Sequence, residues 1–303
     1  MTEYPHLIII LNEHARKGRK ILGEIQSFLN DYSGTHQLYL TEYKGHAAEI
    51  AQSLSASQNN HMRLIIVGGD GTLNEVISGL EQAGLSLPVG YIPAGSGNDF
   101  ARSHQLSSKA ETAINRILSL KHPKSLDILT ILHEEKKYAA VNSFGIGLDG
   151  RVNASLDRSK NKSQLGQFAY FAAILSAYRS QSPFSLKAQI ENKTVQFPEI
   201  LLAVCVNHKY FGGGIPIHPE ADPEDSEFEL VVAEKVNWVE LMIILARVLM
   251  NQSHLSHKKL HTFKISACTL NTDTSQYGQT DGEWLEMNGN YQIQIKQRLF
   301  WIA

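Results

Sequence analysis

The sequence predicts an α/β domain with a parallel sheet and helices on both faces, followed by an antiparallel β-sandwich domain. In about the first 130 residues strand signals alternate with helix signals, which is typical of a parallel sheet. After about Leu126 helical segments become sparse and short β-rich segments predominate, which indicates a sandwich or barrel. A chain of 303 residues is also long enough for two domains. We therefore expect one domain over residues 1–127, a second over residues 128–296, and an interdomain cleft.

In the first domain the pattern of apolar residues indicates each element in turn. Leu7–Leu11 is a short continuous apolar run, as in a strand that is buried on both faces. Residues 18–30 then carry apolar side chains at helical spacing. The elements expected after them are a strand at 36–41, a helix at 45–57, a strand at 63–67, a helix at 72–83 and a strand at 88–92.

The second domain contains only two segments with a helical pattern, at about 163–179 and 237–250. Between and after them lie short segments rich in β-branched and aromatic residues, which favour strands. The strands expected there are Phe184–Ile190, Ile200–Val206, Glu227–Val232 and Lys259–Ser266.

Composition narrows the classes of function. The chain has 28 Lys and Arg against 30 Asp and Glu, so its overall charge provides no electrostatic attraction to nucleic acid. Its two cysteines, Cys205 and Cys268, do not form a disulfide framework or a zinc motif, which indicates a reducing compartment. No apolar run reaches the ~18–20 residues of a membrane span. We expect a cytoplasmic protein that is soluble or peripheral to the membrane.

Two glycine-rich loops follow buried strands of the first domain. Gly68-Gly69-Asp70-Gly71-Thr72 comes after one strand, and Gly95-Ser96-Gly97 comes after the next. Glycines let the backbone approach an oxyanion closely, and a following helix supplies free N–H groups, so we expect a phosphate site with Thr72 as the helix N-cap. The alternative is a tight strand–helix turn. Gly145–Gly150 matches a dinucleotide pattern but has no βαβ unit around it, which argues against a nicotinamide or flavin site.

Acidic residues of the second domain form two further candidates. Asp281-Gly282-Glu283 places two carboxylates on a short turn, where they could bind Mg²⁺ or accept a proton, although an ordinary Asp-Gly hairpin is the alternative. The acidic segment 219–227 could hold a hard cation. His254, His257 and His261 have a metal-like spacing, but their surroundings favour a solvated helix end.

The order of these segments resembles the diacylglycerol kinase catalytic-domain superfamily, specifically the bacterial soluble lipid kinases of the diacylglycerol kinase B and YegS/BmrU type. The likeness covers nearly the whole chain, and NAD kinases and sphingosine or ceramide kinases share the Gly-Gly-Asp-Gly part of it. The segments that carry it are Asn12; Thr41 with Gly45-His46-Ala47; Gly68 to Thr72; Pro93-x-Gly95-Ser96-x-Asn98-Asp99-Phe100-Ala101; Gly145-x-Gly147-x-Asp149; Lys162-x-x-Leu165-Gly166-Gln167-x-Ala169-Tyr170; Pro219-x-Ala221-x-x-x-Asp225; and Asp281-Gly282-Glu283.

This resemblance implies an ATP-dependent kinase that uses Mg²⁺ and phosphorylates a lipid hydroxyl, in the first place that of diacylglycerol. It implies Glu283 as the general base, with Asp281 beside it for Mg²⁺ or for orientation. It implies a structural Mg²⁺ on Asp225 with carbonyl groups of Asp222 and Glu227, and a final strand at about 297–303 that returns to the first domain. The implied ATP contacts are Asn12, Thr41, Gly68, Gly69, Asp70, Gly71, Thr72 and Ser96. The implied charge network near the acceptor comprises Asp70, Asp99, Arg102, Asp127 and Lys162.

The chain departs from the family pattern at four positions, one of which, Ser96 where Thr is common, is a conservative exchange of hydroxyl side chains. Glu13 stands where Pro is usual and Arg16 where Gly is usual, so Arg16 and Lys17 would have to offset the charge of Glu13 near phosphates. Ser226 replaces the Gly that usually follows the metal Asp. Two other functions therefore stay open: a kinase of another lipid alcohol or of NAD, and a non-catalytic nucleotide- or lipid-binding regulator.

The partner that we expect is a membrane lipid, with peripheral membrane contact, no nucleic acid, and a homodimer left open. The segment Tyr210–Ile217 is the candidate docking loop, because large apolar residues flank its glycines. The alternative is that Phe211 and Ile215 pack into the core.

Overall fold

The computed structural model describes residues 4–55, 61–158, 166–287 and 289–302. They form two compact units, the first comprising the chain up to Leu126 together with the C-terminal stretch from Gln297, and the second comprising Asp127–Lys296. Lys162, which we expected in the charge network, lies outside the described residues.

The first unit is an alternation of strands and helices. Its strands are β1 (His6–Leu11), β2 (His36–Leu40), β3 (Met62–Gly68) and β4 (Val89–Pro93). Its helices are α1 (Gly18–Asp31), α2 (His46–Ser53), α3 (Asp70–Gln82), α4 (Asp99–Ser103) and α5 (Ala110–Ser119).

These four strands pair in parallel in the order β2–β1–β3–β4. Leu7, Ile9 and Leu11 of β1 pack in a cluster with α1 and α5, while Ile8 and Ile10 are equally buried on the opposite face. Burial on both faces explains the continuous apolar run of β1 and confirms the predicted parallel sheet. Because the strands run in parallel, the segments that follow them all leave from one edge of the sheet.

The second unit consists mainly of strands. Its helices are α6 (Leu148–Arg158), α7 (Gly166–Ser180) and α8 (Trp238–Met250), and a 3-10 turn follows at His254–Ser256. The strands, some of which extend into the first unit, are β5 (Lys124–His133), β6 (Lys136–Ala140), β7 (Ser143–Gly147), β8 (Phe184–Ile190), β9 (Lys193–Val206), β10 (Tyr210–Phe211), β11 (Ile215–Pro216), β12 (Phe228–Glu234), β13 (Leu260–Ile265), β14 (Ala267–Thr272), β15 (Gln276–Thr280), β16 (Glu283–Met287) and β17 (Asn290–Phe300).

Pairing within the second unit is antiparallel, as expected for a sandwich. β9 pairs with β7, β8 and β12, β14 lies between β8 and β17, and the β15–β16 hairpin extends the sheet beside β7. The apolar core includes Phe144, Phe228 and Tyr291, and both cysteines are buried. The returning end of β17 pairs in parallel with β4 through Phe300 and Val89.

The segment after β7 differs from the prediction. Residues 151–162 lack apolar periodicity, yet α6 begins at Leu148 and continues through this polar stretch to Arg158. Tertiary contact overrides the weak local pattern, since α6 packs against β15 and approaches it so closely that a Cβ on Gly150 would collide with the carbonyl of Tyr277. The dinucleotide interpretation of Gly145–Gly150 still fails, because β7 pairs antiparallel with both of its neighbours.

Two further expectations change. The prediction that Tyr210–Ile217 is a docking loop is wrong. Phe211 and Ile215 are buried against α6, α7 and Val248 of α8, so these two side chains belong to the core. The three histidines do not share a helix end, because His254 is buried in the 3-10 turn while His261 lies on β13 and pairs with Glu234 at 2.7 Å. The predicted helices at 163–179 and 237–250 correspond to α7 and α8.

Candidate active site

In the first unit the predicted nucleotide residues meet at the carboxyl edge of the sheet. The Asn12 amide donates to the Val67 carbonyl (2.9 Å), and the Thr41 amide donates to the Leu11 carbonyl (2.9 Å). The side-chain Nδ2 of Asn12 donates to Oγ1 of Thr72 at 3.2 Å. Residues that are 60 positions apart in the chain thus form one polar surface.

Glycines allow the two loops to come into contact. A Cβ on Gly95 would lie 2.5 Å from the Cα of Gly69, and one on Gly68 would lie 2.5 Å from Oγ1 of Thr72. The Ala94 amide donates to the Gly68 carbonyl at 2.7 Å, which joins the loops directly. No larger residue fits at either position without moving the backbone or Thr72, so these glycines are required by packing before any ligand is considered.

Helix α3 begins at Asp70, which makes Gly69 and not Thr72 its N-cap. The expectation for Thr72 was wrong, because the helix starts two residues earlier and Thr72 lies in its first turn, where its hydroxyl faces Asn12. Because Gly69 has no side chain, no side-chain oxygen caps the first N–H groups of α3. The N–H groups of the first turn have no acceptor within the helix, and the positive end of the helix dipole lies here, so the site suits phosphate oxygens.

The second loop is held by side-chain contacts with its own backbone. Asn98 adopts left-handed dihedrals (φ 54°, ψ 49°), and its side chain both accepts from the Gly95 amide (2.9 Å) and donates to the Gly95 carbonyl (3.0 Å). The Phe100 amide donates to Oδ1 of Asp70 at 3.2 Å. Burial raises the pKa of Asp70, although backbone N–H donors from Asp99, Phe100 and Asn98 oppose that shift. Ser96 lies exposed in this loop.

In the first loop the negative charge of Glu13 is paired with a residue other than the two that we expected. Glu13 lies 3.8 Å from the guanidinium of Arg19, which lies in the first turn of the following helix α1. Arg16 and Lys17, which we expected to offset Glu13, are exposed. The pair is exposed and therefore contributes little stability, but it balances the charge of Glu13 locally.

In the second unit Asp281 and Gly282 form a two-residue hairpin turn between β15 and β16. Both residues have positive φ (48° and 88°), as in the type I′ turn that matches the twist of the strands. The segment is an Asp-Gly hairpin, and this turn places Glu283 at the first position of β16, opposite Thr280. A hairpin turn and a functional carboxylate are therefore compatible here.

The carboxylate of Asp281 is an anchor for this hairpin. Its Oδ2 accepts from the Val141 amide (2.6 Å), and its Oδ1 accepts from the amides of Asn142 (2.7 Å) and Ser143 (3.0 Å). Both carboxylate oxygens are engaged by backbone donors, so this side chain fixes the turn that precedes Glu283.

Gln279 reinforces the same turn from inside and was not found by sequence reasoning. Its side chain is fully buried, accepts from the Gly282 amide at 2.7 Å and donates to Oγ of Ser143 at 3.1 Å. A Gln two residues before an Asp-Gly turn is the sequence signal that could have found it, since a side-chain amide at that distance can bond the backbone of the turn.

Helix α6 covers the other side of the hairpin. A Cβ on Gly145 would collide with the carboxylate of Asp149, so glycine there leaves room for that side chain. Nδ2 of Asn153 donates to the backbone carbonyl of Asp149 (3.2 Å), and its Oδ1 would lie 3.8 Å from a Cβ on Gly282. Helix α6 therefore packs beside the turn that precedes Glu283, with Asn153 next to Gly282.

A chain of hydrogen bonds joins this region to the acidic segment. Nδ2 of Asn207 donates to the carbonyls of Asp127 (2.7 Å) and Val141 (2.8 Å), and the fully buried His208 bonds the same Val141 carbonyl at 2.9 Å. Sequence reasoning missed Asn207 and His208, because they follow an ordinary buried strand and form no recognisable motif. Their burial at the end of β9 makes Val141–Ser143 a rigid platform for Asp281.

Asp127 lies where this network meets the acidic segment. Its Oδ2 accepts from the Ser226 amide at 2.7 Å, while Oδ1 is buried and has no hydrogen-bond partner in the described part of the chain. Burial raises the pKa of Asp127, and the nearby carboxylates of Asp225, Asp222 and Glu224 raise it further. In the first unit, Asp70 and Asp99 belong to the contacts of the second glycine loop.

The acidic segment itself is only partly neutralised. Asp225 forms an ion pair with Lys264 (2.7 Å), and Glu227 lies 3.7 Å from the same ammonium. Oδ1 of Asp222 accepts from the Glu224 amide at 3.1 Å. Ser226 has φ 64°, which explains why glycine is usual at this position. Among the described residues no three His, Cys, Asp or Glu side chains form a metal-binding group.

Comparison with known families agrees with this architecture. The model of the diacylglycerol kinase catalytic domain matches residues 6–131, and the model of the YegS C-terminal NAD kinase beta sandwich-like domain matches residues 142–295, just over half of the chain. The chain therefore belongs to the diacylglycerol kinase catalytic-domain family with a YegS-type C-terminal domain.

Individual relatives extend over most of the chain. It is 30% identical over 291 residues to "Putative lipid kinase YtlR" of Bacillus subtilis (strain 168), with 92% of this chain and 93% of that protein covered. It is 29% identical over 263 residues to "Diacylglycerol kinase" of Staphylococcus saprophyticus, with 86% and 82% covered. The crystal structure of a "putative diacylglycerol kinase" from Bacillus anthracis str. Sterne superposes with a TM-score of 0.76 at 22% identity, covering 100% of this chain and 98% of that one, which supports the fold.

Proposed function

We propose that the protein is an ATP-dependent lipid kinase that transfers the γ-phosphoryl group to a lipid hydroxyl, in the first place that of diacylglycerol. The observation that carries this proposal is the fixed position of Glu283, directly after a turn whose Asp281 carboxylate accepts three backbone donors. A rigid turn that presents a carboxylate suits a general base, because proton transfer requires a positioned acceptor.

The first unit is suited to bind the nucleotide. The N–H groups at the start of α3, the backbone of the joined glycine loops and the hydroxyl of Thr72 are hydrogen-bonding groups for phosphates. Backbone donors held by packing need no reorganisation when charge develops on the transferred group, which is how such sites favour phosphoryl transfer.

Glu283 would take the proton of the acceptor hydroxyl while the oxygen of that hydroxyl bonds to the γ-phosphorus. The bond from that phosphorus to the bridging oxygen breaks in line, and ADP leaves with the electron pair. Asp281 would act through Glu283 by holding the turn, and Gln279 would hold it from inside.

The chemistry of the acidic segment fits Mg²⁺. Asp127 has a buried oxygen without a hydrogen-bond partner in the described residues, and three neighbouring carboxylates raise its pKa, so a divalent cation would relieve both effects. Asp225 and the carbonyl groups of Asp222 and Glu227 would hold the ion, with Asp127 behind them. The ion there would supply positive charge that stabilises the loop, and a second role for Mg²⁺ would be to neutralise the phosphates of ATP.

A lipid acceptor requires peripheral contact with a membrane. No helix in the described part of the chain is long and apolar enough to cross a bilayer. A diacylglycerol stays in the bilayer because of its acyl chains, so the enzyme would bind at the membrane surface to reach it.

The test is a phosphorylation assay with labelled ATP and separate lipids in mixed micelles. The panel comprises diacylglycerol, monoacylglycerol, ceramide, sphingosine and phosphatidylglycerol, with NAD as a soluble acceptor. We expect label in phosphatidic acid, dependent on Mg²⁺. Label in another lipid alone would change the acceptor, label in NAD alone would contradict the lipid assignment, and no transfer to any acceptor despite ATP binding would favour the regulator.

A further inference from the structure

Helix α8 exposes an unusual amount of apolar surface. Ten large apolar side chains are exposed in the described residues, and six of them belong to this one helix: Trp238, Val239, Met242, Ile243, Leu249 and Met250. Met250 is 84% exposed and Val239 is 68% exposed. Scattered exposed apolar residues are normal, but a contiguous set marks a binding surface.

The exposed residues share one side of the helix. At about 100° per residue, Trp238, Val239, Met242, Ile243, Ala246, Leu249 and Met250 fall within about 140° of arc, and no polar side chain lies among them. We call this set the α8 face. The opposite side packs on α7 and β9 through Leu241, Ile244 and Leu245, while Val248 joins the cluster around Phe211. Helices that are apolar on both sides are normally buried on both sides.

The α8 face is held in place by polar contacts at the start of the helix. Asn237 and Glu240 form a reciprocal capping box, and Glu240 pairs with Lys259 at 2.8 Å. The hydroxyl of Tyr178 on α7 donates to the Val236 carbonyl at 2.6 Å. The exposure is therefore a property of a well-anchored helix.

The charges around the α8 face favour an anionic surface. The Arg179 guanidinium lies 5.6 Å from the centre of the Trp238 ring, and Arg247 lies on the flank of the helix. Lys258 follows the helix. Lys235 and Lys259 also lie beside it, but they pair with Glu199 (3.3 Å) and Glu240 (2.8 Å), so Arg179, Arg247 and Lys258 carry the basic character. An apolar helix face with a Trp and basic flanks has the character of an interfacial membrane helix.

We propose that the α8 face is the surface through which the protein docks on an anionic lipid bilayer, an inference that rests on the proposed lipid kinase function. The helix packs on α7, α7 packs on α6, and α6 packs on the β15–β16 hairpin that carries Glu283. The docking surface and the general base thus belong to one unit and are linked by three helices.

The experiment measures binding to vesicles of phosphatidylglycerol and phosphatidylcholine by co-sedimentation, without nucleotide. The test variant is Val239→Ser/Met250→Ser, which changes highly exposed residues of the α8 face. The matched control is Leu299→Ser, an exposed apolar residue of β17. We expect at least a tenfold weaker vesicle affinity for the test variant, equivalent to about 1.4 kcal/mol, and no change for the control.

A second measurement follows Trp238 directly. We expect its emission to shift to the blue when anionic vesicles are added, and to be quenched by brominated acyl chains. Trp238→Phe should lose the part of this response that comes from α8, while the other two tryptophans, Trp284 on β16 and Trp301, which is buried in the first unit, stay in place. Raising the salt concentration should weaken binding, since basic side chains contribute to it.

The outcomes separate this inference from the proposed function. Weaker vesicle binding with normal phosphorylation of a short-chain, water-soluble diacylglycerol supports both. Weaker vesicle binding by a protein that phosphorylates no lipid leaves the docking surface correct and the kinase function wrong. Unchanged vesicle binding by the test variant overturns the inference. So does a wild type that ignores vesicles and forms a dimer that these substitutions dissociate, because the face would then be a self-association surface.

Discussion

The glycine loops of the first unit and the Asp281 hairpin of the second unit achieve rigidity by different means. In the loops, backbone contacts backbone: Gly68 and Gly95 permit an approach that any side chain would block. In the hairpin, buried side chains hold the backbone: Asp281 and Gln279 supply the acceptors and donors that fix the turn. The loops therefore fail when atoms are added, and the hairpin fails when atoms are removed.

The largest effect that we expect is at Glu283. Glu283→Gln removes the base but keeps shape and hydrogen-bonding capacity, so kcat should fall by about 10²–10⁴-fold, as is typical for loss of a general base. ATP binding and thermal stability should stay near those of the wild type. Glu199→Gln, at an exposed position on β9, is the control. Wild-type turnover by a folded Glu283→Gln protein would remove the base from the mechanism.

Asp281→Ala should damage stability and turnover together. Three backbone amides lose their acceptor. Because a buried donor without an acceptor costs about 1–3 kcal/mol, the free energy of unfolding should fall by about that amount. Asp281→Asn is the matched variant, because it keeps one acceptor oxygen and tolerates positive φ. Denaturant unfolding and kcat should both rank wild type, Asn, Ala. If Asp281→Ala unfolds like the wild type, the anchoring role is wrong.

Gly95→Ala tests the opposite failure. The new methyl would lie 2.5 Å from the Cα of Gly69, so the two loops must separate, and we expect a destabilisation of about 1–3 kcal/mol with weaker ATP binding. Gly23→Ala is the same chemical change on α1, where no atom lies within 4 Å of the added carbon. That variant should gain about 0.5–1 kcal/mol. Calorimetric melts that shift in the same direction for both variants would contradict the packing argument.

The smallest effect concerns Asp127 and depends on pH. Its pKa is raised above the ordinary value of 3.8 in the folded protein, so the ionised form disfavours folding, and this cost develops as pH rises from that value past the raised one. Asp127→Asn keeps an acceptor for Ser226 and should raise Tm at neutral pH in EDTA, with no gain at low pH. Added Mg²⁺ should stabilise the wild type more than this variant. Equal responses of both proteins to Mg²⁺ would argue against a cation at the acidic segment.

The difference between the two regions also explains what sequence reasoning could find. A glycine in a loop reports a local backbone requirement, so Gly68, Gly69 and Gly95 could be placed at the sheet edge from spacing alone. The anchors of the hairpin are far apart in the chain: Asp281 bonds residues about 140 positions earlier, and Asn207 joins Asp127 across 80 positions. No local pattern reports such pairings, and Asn207 and His208 were missed for that reason.

Two local predictions failed. Thr72 was expected to cap α3, but the helix begins at Asp70, so Thr72 lies inside its first turn, where its hydroxyl accepts from Asn12. The segment Tyr210–Ile217 was expected to be exposed for docking, but neighbouring helices bury Phe211 and Ile215.

The sequence by itself determined the two-unit architecture, the parallel sheet, the glycine loops and the Asp281–Glu283 turn, because apolar periodicity and glycine spacing are local properties of a chain. Tertiary structure alone decided that α6 forms over a polar stretch, that Asp281 anchors the turn that presents Glu283, and that α8 leaves an apolar face in solvent. The physical reason is that burial and hydrogen-bond partners depend on residues brought together from distant parts of the chain, whereas backbone freedom and periodicity depend only on the residues themselves.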